Sequence, residues 1–115
     1  MQGLCDSGNL LCDPISGTPV IVADRQTWLS ALPDALRRAV ESDGKALDAL
    51  EEGRRVRIVP MHSAHGSSLA VALMPDEIIL AEQNGKTHAV HALIAPSGQP
   101  LAEDYRAIVP ATLLQ

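Results

Sequence analysis

The sequence predicts a single, mainly β domain with a short helical insertion at about residues 24–53. Three features favour this fold class. The chain has 115 residues, which is enough for one hydrophobic core but not for two. Its eight glycines and eight prolines are spread along the sequence, which favours many short elements over a few long ones. The apolar runs are strand-length, and because there is no phenylalanine the core must be aliphatic.

The first predicted element is a β-hairpin around the turn at residues 13–17. Pro14 restricts φ and Gly17 can adopt a positive φ, two properties that tight turns use. Residues 10–13 precede the turn, and residues 18–24 follow it with the clearest β-branched run of the chain. The pattern therefore predicts two short strands joined by this turn.

The helical insertion comes next. Asp24 is predicted to be the N-cap of a helix, although Thr27 stands where a capping box would have Glu or Gln. The apolar residues that recur at helical spacing are Trp28, Leu29, Leu32, Leu36 and Val40. Pro33 interrupts this stripe, so we expect two short helical pieces whose apolar side joins the core. Residues 45–52 are expected to add one or two further helical turns.

The second half of the chain is predicted to consist of strands. They are residues 55–59, 69–74, 77–81 and 88–94. The small and polar segment 61–68 is expected to be a hairpin tip or a mobile loop. Asn84-Gly85 lies between the last two predicted strands and is a strong signal for a tight hairpin turn. The expected sheet is therefore mostly antiparallel.

The composition limits the classes of function. A net charge of -5 and a pI of about 5.2 argue against a nucleic-acid-binding protein, which would carry a basic face. The basic cluster Arg54, Arg55 and Arg57 is interpreted as the solvated start of a strand. No apolar stretch of the sequence is long enough to cross a bilayer. The two cysteines favour a reducing compartment, with a Cys5–Cys12 disulfide as the alternative.

The strongest chemical signal is the segment Leu4-Cys5-Asp6-Ser7-Gly8-Asn9. A carboxylate that follows apolar residues and precedes Ser-Gly has the form of an aspartic-peptidase active-site turn, in which the carboxylate activates water and Gly permits close backbone approach. That mechanism needs two carboxylates about 3 Å apart that share one proton. Because the chain contains one Asp-Ser-Gly, a working site requires a second copy from a two-fold partner. The simpler interpretation is an Asx-type turn at a strand end.

A longer stretch carries a resemblance to a known family. Residues 6–20, Asp-Ser-Gly-Asn-Leu-Leu-Cys-Asp-Pro-Ile-Ser-Gly-Thr-Pro-Val, resemble the peptidase domain of the sporulation sigma-E factor processing peptidases. Residues 57–63 are similar to the family's Arg-apolar-apolar-Pro-x-x-Ser block, and residues 74–78 to its Lys-Pro-Asp-apolar segment. The resemblance runs in order from Asp6 to about Pro110.

The resemblance implies a retropepsin-like closed β-barrel that acts as a homodimer. Asp6 then matches the catalytic carboxylate of each subunit, and Ser7, Gly8 and Asn9 complete the active-site turn. Residues 61–68 fall where a flap closes over substrate, and the flap residues are His62, Ser63, His65 and Gly66. Residues 92–95 are expected to lie beside the active-site turn and support it.

The resemblance also implies a biological role. The domain would be an aspartic endopeptidase that activates a sporulation sigma factor precursor by proteolysis, with a secreted forespore protein as its activator. The full-length protein is expected to be anchored at the cytoplasmic face of the bacterial membrane. Residues 1–115 are then one soluble peptidase domain that lacks its N-terminal strand and the upstream membrane region. No cofactor, no metal and no nucleic acid are expected as partners.

Several alternatives stay open. The chain could be a catalytically silent interaction module on the same scaffold, since the expected N-terminal strand is missing and Ala95 stands where retropepsins usually have Gly. A zinc site could be built from His62, His65, His88 and His91 with Cys5 or Cys12, although residues three apart on a strand point to opposite faces. Cys5 could be a thiol nucleophile, but a small buried core residue is the preferred interpretation. Asp13 could be a second local carboxylate instead of a turn residue.

Overall fold

The computed structural model describes residues 1–6, 11–41, 56–63, 66–101 and 104–114, and it confirms a mainly β protein with a helical insertion. The strands are β1 (Gly3–Asp6), β2 (Val20–Ala23), β3 (Val56–Ser63), β4 (Gly66–Leu73), β5 (Ile78–Ala81), β6 (Thr87–Val90), β7 (Leu93–Pro96) and β8 (Ala107–Pro110). The helices are α1 (Arg25–Ala31) and α2 (Asp34–Glu41), and a 3-10 helix spans Ala111–Leu114.

The described strands form an open sheet and not the expected closed barrel. Six strands pair in the order β1-β8-β2-β7-β4-β3, and β5 and β6 form a separate two-stranded sheet. A barrel closes when the first and last strands of a sheet pair with each other. Within the described residues β1 and β3 instead lie at opposite edges, each with a strand neighbour on one side. The expected antiparallel pairing holds for most pairs, but β1 is parallel to β8 and β2 is parallel to β7.

The hydrophobic core lies on both faces of the main sheet. One cluster of fully buried residues joins four strands and consists of Val20, Val59, Ala72, Leu93 and Ala95. A second cluster consists of Ile21, Ala92, Ala107 and Val109, and Ile78 and Leu80 of β5 pack against it. Because successive residues of a strand point to opposite faces, β2 contributes Val20 to the first cluster and Ile21 to the second. The two-stranded sheet therefore covers one side of the main sheet.

The helical insertion has the predicted form and packs on the β3–β4 hairpin. The side chain of Asp24 caps α1 by accepting hydrogen bonds from the Thr27 backbone N–H at 3.1 Å and the Thr27 hydroxyl at 2.8 Å. Pro33 separates the two helices, as expected. A third cluster joins the helices to the hairpin and consists of Val40, Val56, Val71 and Leu73, with Trp28, Leu29, Leu32 and Leu36 packed against it. Residues 45–52 lie outside the described residues.

Both predicted turns are confirmed. Around the first turn, the Asp13 N–H donates to the Thr18 carbonyl at 2.9 Å and the Val20 N–H donates to the Leu11 carbonyl at 3.0 Å. Gly17 closes that turn with a φ of 74°. Gly85 has a φ of 89° in the turn between β5 and β6. The local turn chemistry of the sequence therefore specifies both turns. The strand predicted at residues 10–13 is wrong, because the described residues 11–13 make an isolated bridge between Cys12 and Pro19 and no strand.

Two predicted boundaries in the second half are wrong. The expected strand 88–94 is divided, because β6 ends at Val90 and β7 begins at Leu93 in the other sheet. The division follows from burial: β6 alternates between exposed and half-buried residues, whereas Ala92 and Leu93 enter the core. The segment 61–68 is the tip of a hairpin, one of its two expected forms, but the flanking strands reach further into it than predicted, because the ladder of β3 and β4 continues to the pair Ser63–Gly66.

We expect Gly17→Ala to destabilise the protein by about 1 kcal/mol, because Gly17 has a positive φ that an L side chain adopts only with strain. No atom lies within 4 Å of a Cβ built at Gly17, so the effect should come from the backbone and not from a clash. Urea unfolding measures the difference. The matched control is Gly98→Ala, which also places its methyl group in open space but without a positive φ. Equal unfolding midpoints for the two variants would contradict the prediction.

Candidate active site

Asp6 is the last residue of β1, at the carboxyl end of an edge strand. Its register partner is Pro110, the last residue of β8, so Asp6 lies beside the start of the C-terminal 3-10 helix. Asp6 is half-buried, whereas Leu4 of the same strand is 42% exposed. Ser7, Gly8 and Asn9, the other predicted residues of the active-site turn, lie outside the described residues.

The strand that pairs with β1 is β8, and the expectation that residues 92–95 support the active-site turn stays a prediction, because that turn lies outside the described residues. Residues 93–96 form β7, which is separated from β1 by both β8 and β2. β1 approaches β8 closely because Gly3 has no side chain. A Cβ built at Gly3 would stand 3.2 Å from Val109 Cγ2 and 3.7 Å from Ala107 Cβ. Gly3 and the small, buried residues of β8 therefore set the position of the strand that ends in Asp6.

The predicted flap coincides with the end of a projecting hairpin. His62 pairs with Ser67 and Ser63 pairs with Gly66 in the β3–β4 ladder, and His65 lies outside the described residues. The described ladder between β4 and β7 consists of the pair Leu73–Ile94, at the opposite end of β4. The hairpin therefore extends away from the main sheet towards residues 63 and 66. Leu69, at 66% exposure, lies on this projecting part.

Asp13 is a buried carboxylate that is satisfied by its own turn. It is 2% exposed, and it accepts hydrogen bonds from the Ile15 backbone N–H at 3.0 Å and the Ser16 hydroxyl at 2.9 Å. Arg57 Nε of β3 lies 4.0 Å from Asp13 Oδ2. The backbone hydrogen bond from Ile15 is the largest cause that lowers the pKa of Asp13, followed by the Ser16 hydroxyl, with Arg57 adding to it. These contacts describe a turn carboxylate, which is the preferred interpretation of this residue.

The cysteines do not have the expected environment. Cys5 is exposed on the edge strand β1, so the prediction of a small buried core residue is wrong. Its strand pairs with β8 along one side, and this leaves the Cys5 side chain outside the core. Cys12 is also exposed, and both thiols are free, so the alternative of a Cys5–Cys12 disulfide is not realised.

The described residues contain no cluster of side chains that could form the alternative zinc site. His88 Nε2 lies 2.9 Å from Glu82 Oε2 within the β5–β6 hairpin. No group of three or more His, Cys, Asp or Glu side chains converges in the part of the chain that the structure describes. In the same part of the chain, no helix is long and apolar enough to cross a membrane.

Sequence reasoning missed the contact between Asp13 and Arg57. The two residues are remote in sequence, and Arg57 was expected to be solvated. The Arg57 side chain is 46% exposed, and its guanidinium donates a hydrogen bond to the Val56 carbonyl at 2.9 Å. One signal was present, because Asp13 and Arg57 each lie in a segment that resembles the same family.

Comparison with known proteins identifies a family and a relative. The family described as sporulation factor SpoIIGA matches residues 1–113. The chain is 32% identical over 121 residues to the sporulation sigma-E factor-processing peptidase of Priestia megaterium (strain ATCC 12872 / QMB1551). This alignment covers 99% of the chain and 39% of the relative, so the chain spans less than half of that protein. No solved structure matches the chain.

We expect acid to destabilise the fold partly through Asp13. Folding lowers its pKa, so its contribution is fully present above about pH 4 and is lost as pH falls through the folded pKa. The pKa of Asp24 is also lowered, first by the Thr27 hydroxyl, and its contribution has the same sign. Urea midpoints measured from about pH 7 down to about pH 3 give the dependence.

Asp13→Asn should lose less stability on acidification than the wild type does, because the carboxyl that must be protonated is gone. The exposed residue Asp104 supplies the control, since Asp104→Asn removes the same formal charge from the surface. Identical pH dependence of the midpoint in Asp13→Asn and the wild type would show that Asp13 does not contribute.

Proposed function

The chain belongs to the sporulation factor SpoIIGA family, and we propose that it is an aspartic endopeptidase domain that processes a sigma-E factor precursor. The relative is named as the peptidase that processes sigma-E factor. The observation that carries the aspartic chemistry is Asp6 at the end of β1, followed in sequence by Ser-Gly-Asn. A carboxylate at a strand end next to a Gly-containing turn is the half-site that aspartic catalysis needs.

The working site is proposed to form between two copies of the chain. Each copy contributes one Asp6, and two carboxylates about 3 Å apart share one proton because both cannot ionise at that distance. The ionised Asp6 takes a proton from water as the water attacks the scissile carbonyl. The protonated Asp6 donates its proton to the carbonyl oxygen, which gives a tetrahedral diol. As the carbon–nitrogen bond breaks, the Asp6 that took the water proton passes it to the leaving amine, and the other Asp6 regains a proton from a diol hydroxyl as the new carboxyl group forms. Ser7, Gly8 and Asn9 would shape the turn that holds each carboxylate.

The β3–β4 hairpin is proposed to act as the flap. Its projection beyond the main sheet supports this role, and His62, Ser63, His65 and Gly66 stand at its end in the sequence. A flap over an extended substrate shields the site from bulk solvent while the attacking water stays between the two carboxylates, and it adds backbone contacts along the peptide. The retropepsin-like barrel belongs to the same proposal, with a second copy supplying the strand that would extend the sheet at β1.

The cellular setting follows from the family resemblance. We propose that residues 1–115 are one peptidase domain of a longer, membrane-anchored protein and face the cytoplasm. A secreted protein from the forespore would trigger activity. The alternative is a catalytically silent module that keeps the scaffold and binds the precursor without cutting it. The peptidase and the silent module are distinguished by whether processing of the precursor requires Asp6.

We expect Asp6→Ala to abolish processing without unfolding the domain, because Asp6 ends an edge strand outside the main clusters of the core. The full-length protein is co-expressed with a sigma-E precursor and the activator, and the mobility shift of the precursor is measured. Asp104→Asn, at an exposed position, is the control and should process normally. Persistent processing by a folded Asp6→Ala variant would disprove the aspartic mechanism. A folded wild type that leaves the precursor intact under these conditions would favour the silent module.

A mixing experiment tests the requirement for two copies. Addition of an equal amount of Asp6→Ala chain to a fixed amount of wild type leaves about a quarter of the dimers with both carboxylates. Since the total number of dimers has doubled, processing should fall to about half of its initial rate. A site contained in one chain would keep its full rate, so an unchanged rate at equal expression would disprove the shared site.

A further inference from the structure

A charged contact links the hairpin that follows the Asp6 segment to the base of the projecting hairpin. Asp13 is 2% exposed, and its orientation is fixed by the Ile15 N–H and the Ser16 hydroxyl at 3.0 Å and 2.9 Å. Its Oδ2 atom lies 4.0 Å from Arg57 Nε. The Arg57 guanidinium also donates to the Val56 carbonyl at 2.9 Å, which holds it against β3. We call this contact the Asp13–Arg57 clasp.

An apolar contact joins the same two segments. Leu11, two residues before Asp13, packs against the buried cluster that contains Val59. Val59 lies two residues after Arg57, and residues two apart on a strand share a face. The turn around Asp13 therefore shares a core cluster with β3 through Leu11 and reaches β3 directly through the charged side chain of Asp13. It begins at Leu11, only two residues after the predicted active-site turn ends at Asn9.

We propose that Asp13 and Arg57 are positioning residues that fix the β3–β4 hairpin relative to the Asp6 turn. This inference rests on the proposed function and adds a determinant of substrate binding to it. The hairpin is anchored at its base by the pairing of Leu73 with β7 and by the two core clusters that contain Val59 and Val71, and the charged contact is a further restraint at that base. Arg57 lies at that base, one residue from the start of β3. Neither side chain is assigned a role in bond breaking.

The clasp should act on KM more than on kcat. A flap contacts the substrate along its length, so a displaced flap weakens substrate and transition state equally, and uniform binding losses appear in KM. The Arg57 side chain is 46% exposed, and partly exposed ion pairs have modest energies. We therefore expect KM for the sigma-E precursor to rise about two- to fivefold in Asp13→Asn and in Arg57→Gln.

The experiment measures processing rates against precursor concentration for the full-length protein. The double variant Asp13→Asn/Arg57→Gln should raise KM no more than the stronger single variant, because both substitutions remove the same contact. Arg57→Lys keeps a cation at the same position. Because the contact at 4.0 Å is not a bidentate hydrogen bond, KM for Arg57→Lys should lie closer to the wild-type value than KM for Arg57→Gln does.

The matched control is Asp24→Asn. Asp24 also accepts a backbone and a hydroxyl hydrogen bond, but it caps α1 and does not belong to the clasp. It should lower thermal stability and leave KM unchanged. If Asp13 acted only through stability, Asp13→Asn would behave like this control, with a smaller active fraction and an unchanged KM.

The outcomes separate this inference from the proposed function. Unchanged KM in Arg57→Gln, with processing that still requires Asp6, would overturn the clasp and leave the peptidase intact. If the effects of the two substitutions on KM were additive, the clasp would also be overturned, because additivity means that the two residues act independently. Processing that does not require Asp6 would overturn the proposed function itself, and the clasp with it.

Discussion

The architecture depends on the burial of β2 from both sides. Val20 has no exposed surface and Ile21, on the opposite face, is 5% exposed. A strand with both faces buried must lie inside a sheet that is covered above and below. β2 is accordingly held between β8 and β7. On one side, β8 carries β1 and Asp6; on the other, β7 leads through β4 to the projecting hairpin. The two parts of the proposed active site are therefore joined through this strand.

The features that the sequence predicted are those set by neighbours along the chain. Gly17 and Asn84-Gly85 specify their turns because the backbone conformation needs those residue types. Asp24 and Pro33 set the beginning of one helix and the break before the next for equally local reasons. Asp6 was found in the same way, from the residue types around it. Local patterns thus identified the short elements and the candidate carboxylate.

The features that were missed depend on contacts between distant segments. The parallel pairing of β1 with β8 joins the two ends of the chain, and no periodicity in either strand indicates the partner. Residues 88–94 look like one apolar strand, yet burial of Ala92 and Leu93 moves the second half into the main sheet. Arg57 likewise has the pattern of a solvated residue, and its contact with Asp13 exists only after the two hairpins pack together. Sequence spacing alone carries no information on such pairings.

In the proposed peptidase, the strand that carries Asp6 must meet two requirements. Within the described residues, β1 has β8 along one side and exposes Leu4 and Cys5, and an edge strand with exposed apolar residues favours pairing with another chain. Aspartic catalysis separately requires a second carboxylate next to Asp6. Because Asp6 ends the same strand, a copy that docks beside β1 would cover the exposed edge and bring its own Asp6 into the neighbourhood. In the proposed dimer, burial of the edge and completion of the carboxylate pair would be linked, because both depend on a second copy docking next to β1.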